Sequence, residues 1–170
     1  MKKLISVFAL SCFLLFISSV YGQGNKFPEL KPIINLPKGY ELSFKAGPDF
    51  YLWYGINESS ERLNSKNKEA SFGIYFGLHP DLKSRNKKTK KSNGVIANTD
   101  ITWLDWNEFS GKDILYRREA VFSYSYGRGF LPLNMHVFIS GYSKNKVKKL
   151  SAIFKDMDFK KIEIPRIDKQ

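Results

Sequence analysis

The sequence contains one cysteine, Cys12, and two histidines, His79 and His136. Cys12 lies in an N-terminal segment that we predict is removed on export, so the mature chain has no thiol. Disulfides, zinc–thiolate sites and cysteine nucleophiles are therefore excluded from the mature chain. A metal site would require His79, Asp81 and His136 to converge on one ion, and the sequence has no closely spaced histidine pair to favour this. We predict that the protein binds no metal.

Motifs of the common nucleotide-dependent and hydrolytic enzymes are also absent. The sequence has no Walker phosphate loop, no dinucleotide-binding glycine fingerprint and no Gly-x-Ser-x-Gly nucleophile turn. Gly127-Arg128-Gly129 lacks the third glycine of that fingerprint and precedes no predicted helix, so we interpret it as a turn. The sequence thus predicts no cofactor.

Residues 1–22 have the three parts of a secretory signal peptide. Two lysines supply a positive start, an uncharged apolar core follows as far as Val20, and the small residue Gly22 suits cleavage. The apolar core is shorter than the ~20 residues that a membrane-spanning helix needs, and no later segment approaches that length. We expect a mature chain from Gln23 that is periplasmic or secreted and has no membrane span. Lipid modification of Cys12 is an alternative that the sequence leaves open.

Positive charge is in excess: the sequence has 28 Lys and Arg against 16 Asp and Glu. Removing the two lysines of the signal peptide leaves 26 against 16, a formal net charge of +10 for the mature chain. A basic exported chain favours an anionic partner, either a component of the cell envelope or a protein. The alternative is that the lysines serve solubility alone. Export argues against nucleic acid as the partner.

The densest positive charge lies in the basic segment, which we define as residues 83–91. Six of its nine residues are basic, and it follows a strand-like stretch that ends at His79-Pro80. Because like charges repel and no apolar residue anchors the segment, we predict a disordered loop. Its basic residues are the predicted binding residues: Lys83, Arg85, Lys87, Lys88, Lys90 and Lys91.

Alternation of apolar and polar residues predicts mainly β-structure. Residues 23–39 carry three prolines and are expected to form an extended arm. Residues 40–165 are expected to form one domain and residues 166–170 a tail. About six strands are predicted in the domain: Tyr40–Ala46, Phe50–Tyr54, Ala70–Gly77, Ile101–Trp106, Ile114–Tyr126 and Met135–Ser140.

One helix is predicted near the C-terminus, over Asn145–Met157. Its apolar residues recur at intervals of three and four, which is the stripe of a helix that packs on a sheet. Ser143 or Asn145 is expected to cap its first turn. Strands followed by one helix predict an α+β fold, in which a mainly antiparallel sheet carries a C-terminal helix.

Acid–base chemistry is the rival to simple binding. The candidate acids near aromatic strands are Asp100, Asp105, Glu108 and Glu119. Asp105 lies between Leu104 and Trp106, where it is either a buried acid or the partner of Arg117 or Arg118. The enzyme hypothesis is a small hydrolase-like protein that uses His79 with Asp81 or another nearby carboxylate, and His136 is a further weak candidate.

Two short blocks carry a resemblance to known proteins: Gly47-Pro48-Asp49-Phe50 and Gly73-Ile74-Tyr75-x-Gly77-x-His79-Pro80. They resemble blocks of a small group of uncharacterised exported bacterial proteins, and the resemblance implies no catalytic residue. The order of elements is also similar to the layout of the PsbP/Mog1-like α/β sandwich, which implies fold and not function. The sequence therefore favours a non-enzymatic exported domain that binds an anionic partner through the basic segment.

Overall fold

The computed structural model describes residues 30–47, 49–57, 67–124 and 133–161. In these ranges it contains nine strands, one α-helix and a short 3₁₀ turn, Ala152–Phe154. The elements are β1 (Leu30–Ile33), β2 (Tyr40–Ala46), β3 (Phe50–Asn57), β4 (Ser71–Gly77), β5 (Lys90–Ile96), β6 (Thr99–Ser110), β7 (Asp113–Tyr124), β8 (Leu133–Gly141), α1 (Lys144–Ser151) and β9 (Asp158–Lys161). The predicted antiparallel sheet with one C-terminal helix is confirmed, but six strands were too few and the helix is shorter than predicted.

Seven strands form one antiparallel sheet in the order β2-β3-β4-β8-β7-β6-β5. β1 and β9 pair antiparallel in a separate two-stranded sheet. The large sheet consists of two meanders, β2–β4 and β5–β8, that meet where β4 pairs with β8. At this junction Gly73 lies opposite Phe138, and a Cβ on Gly73 would overlap the Phe138 ring. The missing side chain therefore allows the ring to lie across β4.

One face of the sheet, the helix face, carries the core. Apolar strand residues are buried there, including Ile74, Val137 and Ile139 at 0–1% exposure. Phe154 is fully buried and its ring meets that of Phe72 edge-on, with centroids 5.2 Å apart. The C-terminal apolar stripe thus packs on the sheet as predicted.

The helix begins where the sequence predicted and ends earlier. Ser143 caps it, because its hydroxyl accepts a hydrogen bond from the Lys146 N–H at 3.5 Å. After Ser151 the chain tightens into the 3₁₀ turn. The carbonyls of Phe154 and Lys155 then accept hydrogen bonds from the two residues of the β5–β6 turn, at 3.0 and 3.3 Å. These bonds satisfy carbonyls that a helix end leaves free.

The turn that makes those bonds has an uncommon backbone. Ala97 and Asn98 both have positive φ, 48° and 57°, which is the pattern of a two-residue type I′ hairpin. Neither residue is glycine, so the turn is held in part by its bonds to the end of the helical segment.

Several predicted loops are strands. β6 continues to Ser110, beyond the predicted strand end at Trp106, and the chain reverses at Gly111 with φ 63°. Part of the predicted arm forms β1, which is extended as expected but paired. The prediction of a disordered basic segment is wrong: Lys90 and Lys91 begin β5, and the backbone from Lys83 makes a turn.

No helix in the described ranges is both long enough and apolar enough to cross a membrane. The predicted signal peptide, residues 23–29 of the arm, Gly127–Gly129 and the C-terminal tail lie outside the described residues.

Candidate functional site

A groove of about 740 Å³ lies between α1 and the end of the sheet formed by β5, β6 and β7. The sheet contributes residues from adjacent strands, and α1 with the 3₁₀ turn contributes the opposite wall. Six basic residues and one acidic residue line it among the described part of the chain. The basic ones are Lys90, Arg117, Arg118, Lys144, Lys148 and Lys155.

Arg118 forms the floor of this groove. Its side chain, 10% exposed, makes a two-pronged ion pair with Asp105, with Nε to Oδ1 at 2.7 Å and Nη2 to Oδ2 at 3.0 Å. Nη2 also donates to Ser92 Oγ at 3.0 Å, and Nη1 donates to Ser151 Oγ at 2.8 Å. The guanidinium lies 5.2 Å from the centroid of the Trp103 ring. One side chain thus ties together β5, β6, β7 and α1.

The hydroxyl groups of Ser92 and Ser151, the two serines of the floor, each donate a hydrogen bond to another protein atom. Ser92 Oγ donates to Asp105 Oδ2 at 3.1 Å, and Ser151 Oγ donates to the Lys148 carbonyl at 2.7 Å. Within the described structure neither hydroxyl faces a histidine, and the carboxylate that Ser92 contacts is held in the ion pair with Arg118. The side chains of the floor are therefore held to one another by hydrogen bonds.

A ring of lysines surrounds the floor. Lys144, Lys148 and Lys155 are spaced so that successive helical turns place them on one side of the helical segment. Lys90 approaches from β5, on the same sheet face as its pairing partner Asp105. None of these four lysines forms an ion pair within the described ranges, and all four are exposed. The only acid lining the groove is neutralised by Arg118, so the groove carries unbalanced positive charge.

Gly94 shapes the wall of the groove on β5. A Cβ at this position would overlap the indole of Trp103, which lies on the neighbouring strand β6. Glycine therefore lets the Trp103 ring lie flat across β5. The packed ring in turn supports the guanidinium of Arg118.

The opposite face of the sheet holds a second buried charged group. Glu119 has no exposed surface, and its carboxylate accepts from His136 Nε2 at 3.0 Å, from the Ser84 N–H at 2.8 Å and from the Lys83 N–H at 3.2 Å. Burial alone would raise the pKa of Glu119, but the hydrogen bonds from His136 and Ser84 outweigh it and the pKa is lowered. His136 lies on this same face and is buried as well.

The three weak catalytic candidates do not assemble into one site in the described structure. His79 is exposed, and its backbone N–H donates to the Tyr75 hydroxyl at 3.1 Å. Asp81 forms an ion pair with Lys83, while His136 pairs with Glu119. Within the described ranges no three His, Cys, Asp or Glu side chains are placed to hold a metal ion.

The basic segment divides between several environments. Lys83 pairs with Asp81, and Lys87 lies 3.7 Å from Glu108, which also pairs with Arg117. The other four basic residues are exposed: Arg85, Lys88, Lys90 and Lys91. Of the six predicted binding residues, the structure brings only Lys90 to the groove.

Sequence reasoning missed the rest of the groove. The lysines of the C-terminal helical segment were not among the predicted binding residues, and Arg118 was considered only as an ion-pair partner of Asp105. A signal was present for Arg118, because strand alternation puts it on the same face as Tyr116 and Ala120, where a charge is unusual. The contribution of Ser92 and Ser151 had no comparable signal.

Comparison of the chain with protein-family models, with curated proteins and with solved structures gives no match. The argument for function therefore depends on the geometry and charge of the groove.

Proposed function

We propose that the protein is a non-enzymatic, exported binding domain that holds an anionic ligand in the groove between α1 and β5–β7. The observation that carries this proposal is a ring of four lysines that form no ion pair with any described acid, around a floor where the one described carboxylate is paired with Arg118. The sequence favoured an anionic partner on net charge alone. The charge of the groove supports the same preference, and the groove lies apart from most of the basic segment.

The shape of the groove favours a discrete ligand over a flat anionic surface. Its volume lies in the range of about 300–1,000 Å³ that is typical of ligand sites. Lysines around a concave, partly desolvated wall interact more strongly with an anion than lysines scattered over a convex surface.

Arg118 adds a fixed donor to this field. A guanidinium has five N–H groups, and four of them are used by Asp105, Ser92 and Ser151. One Nη1 hydrogen therefore remains at the floor. Because the side chain is already held in place, a ligand that accepts this hydrogen bond does not have to order it.

Two charge-matched variants test the proposal. The groove variant replaces Lys90, Lys144, Lys148 and Lys155 with glutamine. The control variant makes the same change at Arg85, Lys87, Lys88 and Lys91, all in the basic segment. The probes are poly-L-glutamate and polygalacturonate, titrated by calorimetry at 20 mM and 200 mM salt.

We expect the groove variant to lose affinity by about tenfold or more for at least one probe at low salt, since each lost charge contact contributes roughly 0.2–1 kcal/mol. The control variant should lose much less. Equal losses would mean that net charge alone determines binding. A loss confined to the control variant would return the site to the basic segment.

A further inference from the structure

We propose that the anionic ligand of the groove is an acidic polypeptide segment that binds in extended conformation, as an additional strand along the edge of β5 that pairs with no other described strand. This inference rests on the function proposed above and names the class of ligand. It is carried by the position of β5 in the sheet, by the backbone groups that β5 turns outward, and by the charges beside them.

β5 is the last strand of the seven-stranded sheet, paired on one side with β6. In a two-residue hairpin the residues that close the turn form a hydrogen-bonded pair, and such pairs alternate along the ladder with pairs that are not bonded. Ile96 and Thr99 close this turn. The N–H groups of Lys91, Asn93 and Val95 therefore point away from β6.

These outward amides border the groove. Asn93 and Val95 line it, although strand alternation turns their side chains to the sheet face opposite Trp103. What they offer to the groove is therefore backbone. Among the described residues no backbone group outside the sheet bonds to residues 90–95. An exposed edge of this kind is a template for another strand.

The positive charges beside the edge of β5 determine which kind of strand can pair with it. β5 carries Lys90 and Lys91 and no acid, and Lys148 and Lys155 lie across the groove. These lysines disfavour pairing with a second copy of β5, because charged lysines on an edge strand hinder edge-to-edge association and both copies would carry net positive charge. The same lysines attract a strand with Asp or Glu side chains.

The other edge of the sheet, β2, has no comparable set of charges to favour an acidic strand. β2 carries one acid and one base, Glu41 and Lys45, and no comparable lysine-lined groove accompanies it in the described structure. An acidic strand therefore has a reason to choose β5 over β2. On the added strand every second side chain would face the lysines of the groove.

The test compares two peptides of equal length and charge. One alternates Glu with Thr over eight residues, and the other has four Glu followed by four Thr. Binding is measured by calorimetry to the full mature chain, to Asn93→Pro and to Asn93→Ala. Proline removes an outward N–H that β6 does not use, whereas alanine removes only the side chain.

We expect the alternating peptide to bind several-fold more tightly than the block peptide. Asn93→Pro should weaken binding of the alternating peptide by about tenfold, because it removes a backbone hydrogen bond and obstructs the edge. Asn93→Ala should leave the affinity unchanged.

Amide hydrogen exchange of the unaltered protein provides a readout that needs no variant. The peptide should slow exchange at Lys91, Asn93 and Val95 and leave the ladder amides of Ser92 and Gly94 unchanged.

Strand addition would be overturned, and the proposed function left intact, by the following result. Binding depends on the four groove lysines, Asn93→Pro does not weaken it, and the peptide does not protect those three amides from exchange. Polygalacturonate binding more tightly than either peptide, also without amide protection, would identify an anionic glycan instead. Failure of every anionic probe to bind through the groove lysines would overturn both proposals.

Discussion

Arg118 and Glu119 are neighbours in β7, and they hold the two faces of the sheet in opposite ways. Arg118 uses its side chain to join other side chains, from β5, β6 and α1. Glu119 uses its carboxylate to hold the backbone of a surface segment, together with His136. The comparison shows how one strand can bury two charged side chains that are adjacent in sequence. Each charge is buried only because its own face supplies complementary groups.

The two faces also differ in how completely water is excluded. Glu119 has no exposed surface, whereas the side chain of Asp105, the partner of Arg118, is 31% exposed. A partner left behind after substitution can therefore be hydrated on the groove side and much less so on the other side. This contrast sets the order of the following predictions.

The largest effect is expected for Glu119→Ala. Removing the carboxylate leaves the His136 ring and the amides of Lys83 and Ser84 without their acceptor at a buried site. We expect a loss of about 3–5 kcal/mol in the free energy of unfolding, measured in urea. Glu119→Gln keeps one acceptor oxygen and should cost less. A loss below about 0.5 kcal/mol for the alanine variant, as at an ordinary surface position, would contradict the role assigned to Glu119.

A smaller effect is expected for Arg118→Ala. Asp105 regains contact with water in this variant, so the loss should be about 1.5–3 kcal/mol, the range for hydrogen bonds to charged groups. Arg118→Lys is the control, because it keeps the charge but cannot form the two-pronged pair. If lysine restores the stability fully, charge rather than geometry is what the floor requires.

The smallest effect is the dependence of stability on pH. The pKa of Glu119 is lowered in the folded protein, so its ionisation stabilises the fold above the ordinary glutamate value of 4.5. That stabilisation is lost as the pH falls from there through the lowered pKa. The difference in unfolding free energy between the unaltered protein and Glu119→Gln should therefore shrink between pH 5.5 and pH 3. A constant difference across this interval would show that the ionised carboxylate is not what stabilises the pair.

Sequence periodicity was sufficient for the parts of the fold that bury apolar side chains. The buried residues of β8 follow from alternation, and the burial of Leu150 and Phe154 follows from helical spacing. Periodicity could not identify β5, because its hydrophobic residues occur only at Val95 and Ile96. β5 is held to β6 by backbone hydrogen bonds and by the tight turn at Ala97 and Asn98.

The site was harder to predict than the fold for a physical reason. Charged clusters are visible in a sequence when they are contiguous, as in the basic segment. The groove instead combines Lys90 with lysines more than 50 residues later, and only the pairing order of the sheet brings them together. The basic segment was expected to be disordered because it has no apolar anchor. Its anchor is polar, the buried carboxylate of Glu119.

The division of the sheet into two meanders has a consequence for the rate at which the chain folds. Within each meander every pairing joins consecutive strands, so each can form by closing a connection of at most 13 residues. The β4–β8 pairing joins residues about 60 positions apart, such as Ile74 and Val137, and the β1–β9 pairing spans most of the domain. Contacts so distant in sequence slow folding, because the chain must lose the entropy of closing the loop before they form. We therefore expect the rate-limiting step of folding to be the pairing of β4 with β8, which joins the two meanders and packs the Phe138 ring over Gly73.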